Sequence, residues 1–127
     1  MKDLEEANAW QSGARKTFED DSLGRERFTV AVAMAIHASI KANDALTMKF
    51  LNRRSTRHDD AALLFGDLVR QRKIQGKYAG YRDLLKRGAA QKSNFDYKGE
   101  GVGKDQAVRW LRDVERFIAA VAEILQT

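Results

Sequence analysis

Two histidines are the side chains of this 127-residue chain best suited to proton transfer. His58 follows the basic stretch NRRSTR, and the ordinary histidine pKa of about 6.5 suits general acid–base catalysis. It also fits a surface residue near the start of a helix. His37 lies within a long apolar segment, which favours a buried histidine bonded to a neighbour over a catalytic one. With no cysteine and two histidines, zinc is disfavoured, and we expect no metal and no cofactor.

A basic segment with two tyrosines has the composition of a nucleic-acid-binding surface. Tyr78 and Tyr81 are three residues apart and could stack on bases while neighbouring cations hold phosphates. Tyrosines at this spacing are also typical of the edge of a helical core, where one end of the ring stays wet. The cations that we expect to contact nucleic acid are Arg54, Arg57, Lys77, Arg82, Lys86, Arg87 and Lys92.

The positive charge is concentrated in the middle of the chain. The formal net charge is +5, but residues 49–92 contain 12 Lys and Arg against 4 Asp and Glu, a net of +8. The rest contains 11 against 14, a net of −3. This asymmetry indicates either an anionic partner for the middle segment or a solvated helix face, and both interpretations stay open.

One long apolar segment must form the core on which these residues are positioned. Residues 28–40 have only three polar side chains, so a helix here is apolar nearly all round and belongs inside a bundle. We expect this central helix to extend to Leu51. Its uninterrupted apolar run, residues 30–36, is far shorter than the roughly 20 residues that a bilayer requires. We therefore expect no membrane association.

The remaining apolar stripes predict the helices that cover the central one. A stripe over residues 2–20 predicts the first helix. A third helix follows a loop at residues 52–56, with Thr56 as its N-cap, and is broken or kinked at Gly76. A glycine-rich loop at residues 93–103 precedes the last helix, residues 104–126. Matched long helices and short turns predict one all-α domain over residues 1–127, an up-and-down antiparallel four-helix bundle.

The composition also bears on the compartment. The absence of cysteine excludes disulfides and fits a reducing cytoplasm. The N-terminal sequence MKDLEEANAW is acidic and polar, unlike a signal peptide. We therefore expect a cytoplasmic protein.

The order of these features resembles the HEPN domain family of small four-helix proteins, from about Leu4 to Leu125. The central helix AVAMAIHASIKANDALTMKFL is similar to the family's Ala- and aromatic-rich second helix. The segment RSTRHDDAALLFGDL resembles the one in which a His precedes a run of the type xxLLFxxL. The segments FDYKG and DQAVRWLRDVERFIAAVAEIL resemble the family's Asp-Tyr segment and final helix.

The resemblance implies a bundle that usually dimerises and is often paired with a minimal nucleotidyltransferase in toxin–antitoxin systems. Some members are metal-independent ribonucleases, in which an Arg stabilises phosphate charge and a His four to six residues later handles protons. That pair lies before the last helix, where this chain reads KRGAAQKSNFDY and has no histidine. The literal match is Arg53 and His58, in the loop between the second and third helices.

Three functions follow as alternatives. We favour a dimeric, non-catalytic or degenerate HEPN-like member that binds a partner protein, such as a nucleotidyltransferase, or binds RNA through its basic surface. The second is an active endoribonuclease using Arg53 and His58, assisted by Lys92 or Arg87. The third is a structural dimerisation module. The sequence leaves enzymatic activity open, and we lean towards a protein that is not an enzyme.

Overall fold

The chain folds into five α-helices in a computed structural model that describes residues 2–57 and 59–126, the side chain of Tyr97 excepted. No strand is present in those two ranges, which confirms the all-α prediction. A 3-10 turn, Gly76–Tyr78, precedes the fourth helix, and a π-helical turn, Asn94–Lys98, follows it. The helices are α1 (Lys2–Glu19), α2 (Glu26–Leu51), α3 (Asp60–Arg70), α4 (Tyr81–Ser93) and α5 (Lys104–Leu125).

Helix α2 is the centre of the fold and packs against all four other helices. Its alanines at positions 31, 35, 38, 42 and 45 are fully buried, and their small size lets neighbouring backbones approach closely. Val32, Ile36 and Leu46 fill the spaces between the neighbouring helices. Across the described ranges, no helix combines the length and apolarity needed to cross a bilayer.

Contacts at the two ends of α2 define the direction of its neighbours. Phe28 near its start packs on Phe18 near the end of α1, whereas Lys41 pairs with Glu6 near the start of α1, so these helices are antiparallel. The Thr29 hydroxyl accepts a hydrogen bond from the Val102 amide, just before α5. At the other end, the Lys49 ammonium reaches the Leu125 carbonyl at 3.2 Å. Helices α2 and α5 therefore run in the same direction.

The predicted interruption of the third helix is confirmed, but its position differs. Helix α3 ends at Arg70, and Arg72 adopts a left-handed conformation with φ of 57°. The Lys73 amide then donates to the Leu68 carbonyl at 2.9 Å and closes the helix end. Gly76 instead begins the 3-10 turn before α4. The residues after position 70, not Gly76, end α3.

Two predicted boundaries need correction. Thr56 is not the N-cap of α3, because the helix starts at Asp60 after Asp59. The Thr56 hydroxyl and amide donate to the Asp60 carboxylate at 2.8 and 3.1 Å, which lowers the pKa of Asp60. The expected loop at 93–103 is partly helical, because the π-helical turn extends α4 as far as Lys98. Gly99 ends that turn with a left-handed φ of 65°, which glycine adopts without strain.

Candidate functional site

The loop between α2 and α3 carries the predicted catalytic arginine and is held by polar groups of α2. The Thr47 hydroxyl donates to the Arg53 carbonyl at 2.6 Å. The Ser55 amide donates to the Asp44 carboxylate at 3.0 Å. Both anchoring side chains are almost completely buried. The loop backbone therefore has a fixed position relative to α2 as far as Ser55.

A second anchor joins the same loop to α1. The Arg54 guanidinium donates two hydrogen bonds to the Asp3 carboxylate, at 3.2 and 2.9 Å. Asp3 is 4% exposed, whereas the Arg54 side chain is about half exposed. The hydrogen bond and charge of Asp3 raise the pKa of Arg54. Arg54 is thus the counter-ion of a buried carboxylate, and a phosphate would have to compete with Asp3 for it.

A second buried carboxylate, Asp44, lies close to this pair. Burial raises the pKa of Asp44, and the hydrogen bond from Ser55 opposes that effect. The negative charge of Asp3 raises it further, while Lys41 lowers it. Asp3 and Asp44 are thus near enough for the charge of Asp3 to act on Asp44, and both raise the pKa of Arg54.

Arg53 and the two sequence neighbours of His58 line adjoining clefts that share Thr56. Arg53 lines a cleft of about 440 Å³ between the loop and α3, together with Asp60 and Asp67. Arg57 and Asp59, the neighbours of His58 in sequence, line a different cleft of about 600 Å³. His58 itself lies outside the described residues. Its pairing with Arg53 stays a prediction.

The larger cleft, here called the histidine cleft, lies between α2, the α2–α3 loop and the end of α4. His37 forms part of its wall and is half-buried, not enclosed in the core as the sequence indicated. The Trp10 ring packs edge-on against the imidazole, with centroids 4.4 Å apart. Ile40 and Ala89 provide apolar surface. The polar lining residues are Ser55, Thr56, Arg57, Asp59, Ser93 and Asp96.

A second surface, here called the basic groove, lies between α4 and α5. It consists of two adjoining depressions of about 390 and 370 Å³ that share Arg87 and Asp113. Four of its lining residues are cations, and its amides come from both helices. The charged, amide and aromatic residues that line it are Lys77, Tyr81, Arg87, Gln91, Asn94, Gln106, Arg109, Trp110, Asp113 and Arg116.

The cations of the basic groove differ in how far they are neutralised. Arg87 pairs with Asp83 at 2.8 Å and lies over the Trp110 ring at 5.4 Å. Lys77 lies 3.8 Å from the Glu123 carboxylate. Within residues 2–57 and 59–126, no carboxylate is within ion-pair distance of Arg109 or Arg116. Positive charge therefore dominates the described lining of the groove.

The structure brings only part of the predicted cation set into one site. Lys77 and Arg87 line the basic groove, whereas Arg54 and Arg57 lie on the α2–α3 loop, outside the groove. Lys86 is exposed on α4 and Lys92 is half-buried there. Arg82 approaches the end of α3, where its Nε and the Arg70 Nη1 are each 3.2 Å from the position that a Cβ would take at Gly66.

Sequence reasoning did not single out the α5 arginines that line this groove. Arg109 and Arg116 are seven residues apart, two helical turns, and so lie on one face of α5. That spacing was readable in the sequence. The sequence did not show that α5 faces α4 across the groove, because the two helices are separated by a turn whose shape was not predicted. In the part of the chain that the structure describes, no group of three or more acidic or histidine side chains could hold a metal ion.

Comparisons with known proteins add no assignment. No protein-family model matches the sequence, and no curated protein is significantly similar to it.

Proposed function

We propose that this protein is a HEPN-like helical bundle that binds RNA through the basic groove, as a non-catalytic or degenerate member of that family. The observation that carries the proposal is the convergence of Lys77, Arg87, Arg109 and Arg116 from three elements on one groove. Polyanion binding depends on such arrays, because each neutralised phosphate releases condensed counter-ions.

The groove favours contact with the nucleic-acid backbone over recognition of base edges. Trp110 is 9% exposed and lies beneath the Arg87 guanidinium, so its ring holds that cation and is not open for stacking. Tyr81 is half-buried and packs on Phe117 at 5.2 Å. The free hydrogen-bonding capacity belongs to guanidinium groups and amides such as Gln91. Contacts of this kind position phosphates and sugars and carry little sequence information.

The helix directions support the bundle in this proposal. Helix α1 runs antiparallel to α2, and α5 runs parallel to α2. If α3 and α4 together are taken as the third helix, these are the helix directions of an up-and-down four-helix bundle. The HEPN resemblance further implies a homodimer and a nucleotidyltransferase-type partner in a toxin–antitoxin pair. Exposed apolar residues such as Val30 and Leu63 do not line the groove, so contacts there would leave it open to RNA.

Fluorescence anisotropy with a labelled 20-nucleotide single-stranded RNA tests the proposal. Four phosphate contacts give a slope of about −3 in log affinity against log salt, so affinity should fall about fiftyfold between 50 and 200 mM salt. Arg116→Glu should weaken binding at least about fivefold at 50 mM salt, because it reverses an unneutralised charge in the groove. Lys16→Glu is the matched control, an equal charge change on an exposed residue of α1.

Two results would contradict the proposal. One is an absence of RNA binding by the wild-type protein at 50 mM salt. The other is an equal loss of affinity in Arg116→Glu and Lys16→Glu, since that would reflect net charge and not the groove.

A further inference from the structure

We infer that the histidine cleft seats one unpaired base of the nucleic acid bound in the basic groove, so that the ligand is single-stranded and not duplex. The inference rests on the proposed function, because the groove supplies the strand from which the base comes. It assigns to the cleft a role distinct from that of the groove: recognition of a base, in place of contact with phosphates.

The two sites are neighbours across one element. Ser93, the last residue of α4, lines the histidine cleft, and Asn94, the next residue, lines the basic groove. The turn that begins at Asn94 is π-helical, and Asp96 within it returns to the cleft. Single π-helical turns inside α-helices are frequent at functional sites. A strand that follows the groove past Asn94 therefore reaches the mouth of the cleft without leaving the protein surface.

The size and lining of the cleft suit a base. Its volume of about 600 Å³ is within the range of small-molecule sites, about 300–1,000 Å³. Ile40, Ala89 and the imidazole of His37 offer flat or apolar surface to a ring. The imidazole is braced by the Trp10 ring, so its plane has a defined orientation. Such a surface accepts the face of any base and shields it from water.

The polar residues at the cleft add a preference among bases. The carboxylates of Asp59 and Asp96 accept hydrogen bonds, and an exocyclic amino group offers two N–H donors where the uracil ring offers one, at N3. Arg57 is exposed and lies 4.0 Å from the Asp59 carboxylate and 3.7 Å from that of Asp60, so the phosphate of the same nucleotide would compete with them for it. Adenine, cytosine and guanine carry an amino group and uracil does not. The lining therefore favours a base with an amino group, such as adenine, over uracil in the cleft.

The test compares three 12-nucleotide probes by anisotropy: single-stranded oligo(A), single-stranded oligo(U) and a 12-base-pair RNA duplex. Wild-type protein should bind oligo(A) at least about fivefold more tightly than duplex, the effect of about one stacked base. It should also bind oligo(A) at least about fivefold more tightly than oligo(U), the effect of a hydrogen bond between the amino group and a carboxylate. Ala89→Leu fills the cleft and should reduce oligo(A) affinity to that of oligo(U), without changing the salt slope. Ala119→Leu, an exposed position on α5 outside both sites, is the matched control.

A second variant keeps the test decisive if Ala89→Leu disturbs folding. Asp96 is exposed, so Asp96→Ala should fold, and it should reduce the preference for oligo(A) over oligo(U) at least about threefold. If the wild-type protein binds all probes, Arg116→Glu weakens them all, and both cleft variants leave the ratio unchanged, the inference is wrong and the proposed function stands. If no probe binds, the proposed function fails and the inference fails with it.

Discussion

The guanidinium of Arg54 closes over the carboxylate of Asp3, and this pair joins the start of α1 to the loop that follows α2. The two hydrogen bonds measure 3.2 and 2.9 Å, and the carboxylate is nearly inaccessible to solvent. The arginine that the sequence offered as a nucleic-acid contact thus has a partner already in the folded protein. Its neighbour Arg53 has an exposed side chain.

Arg54→Ala should lower the free energy of unfolding, because it leaves the Asp3 carboxylate buried without its counter-ion. Arg53→Ala is the matched control and should have a smaller effect, since the Arg53 carbonyl, not its side chain, makes the contact with Thr47. Urea unfolding at neutral pH measures both. Adding Asp3→Asn to Arg54→Ala should recover part of the loss, and equal losses in the two single variants would contradict this account.

Asp44→Asn should change the pH dependence of stability. Burial raises the pKa of Asp44 above 3.8, so the folded protein binds a proton more tightly than the unfolded chain does. The contribution of Asp44 to stability is therefore fully present below pH 3.8 and is lost as the pH rises through the raised pKa. The asparagine side chain can still accept the hydrogen bond from Ser55. Because it does not ionise, its contribution to stability does not fall as the pH rises.

The measurement for Asp44 is the urea midpoint at pH 4 and pH 7. The stability of Asp44→Asn relative to the wild type should rise between the two pH values. Asp21→Asn, an exposed position in the turn after α1, should show no comparable change. A falling relative stability of Asp44→Asn would mean that the ionised carboxylate is stabilised in the fold and that the sign is wrong.

Gly66→Ala should stabilise the protein by about 0.5–1 kcal/mol, the usual difference between alanine and glycine within a helix. A Cβ there would come 3.2 Å from Arg70 and Arg82, but both contact atoms are at the ends of flexible side chains. Gly88→Ala is the comparison, because its Cβ would meet the buried Ile36 side chain at 3.3 Å. Thermal unfolding should give a higher midpoint for Gly66→Ala and no such gain for Gly88→Ala.

Purified protein should not cleave RNA in the absence of metal. Arg53 does not line the histidine cleft, where Arg57 and Asp59 lie, and the segment 86–97 before the last helix has no histidine. Gel analysis of several labelled RNAs with chelator present measures this. Cleavage by the wild type that His58→Ala abolishes, with folding intact by circular dichroism, would establish the ribonuclease alternative instead.

Local sequence patterns predicted the helices well, because apolar periodicity depends on near neighbours in the chain. The stripe of α1 and the apolar segment of α2 are examples, and their observed bounds differ from the expected ones by a residue or two. The prediction of Thr56 as the N-cap was wrong because a serine or threonine before a helix can also form a turn in which it bonds to the carboxylate of the first helical residue. That choice depends on where Asp60 points, which spacing alone does not determine.

The candidate sites were less predictable because each is assembled from distant segments. His37 looked like a core residue since its sequence neighbours are buried. It lines a cleft because the α2–α3 loop and α4 leave space over that part of α2. The cations of the groove come from the turn before α4, from α4 itself and from α5, and only the first two lie in the basic middle segment of the chain.

The anchors of the α2–α3 loop imply a boundary for local opening of the native state. Up to Ser55 the loop is bonded to side chains of α1 and α2, whereas the amides of Thr56 and Arg57 are bonded to Asp60 of α3. If α3 detaches transiently, the boundary between the backbone that stays folded and the backbone that opens should lie between Ser55 and Thr56. In native-state hydrogen exchange, the Ser55 amide should then exchange with the slow amides of α2, and the Thr56 amide should exchange with α3.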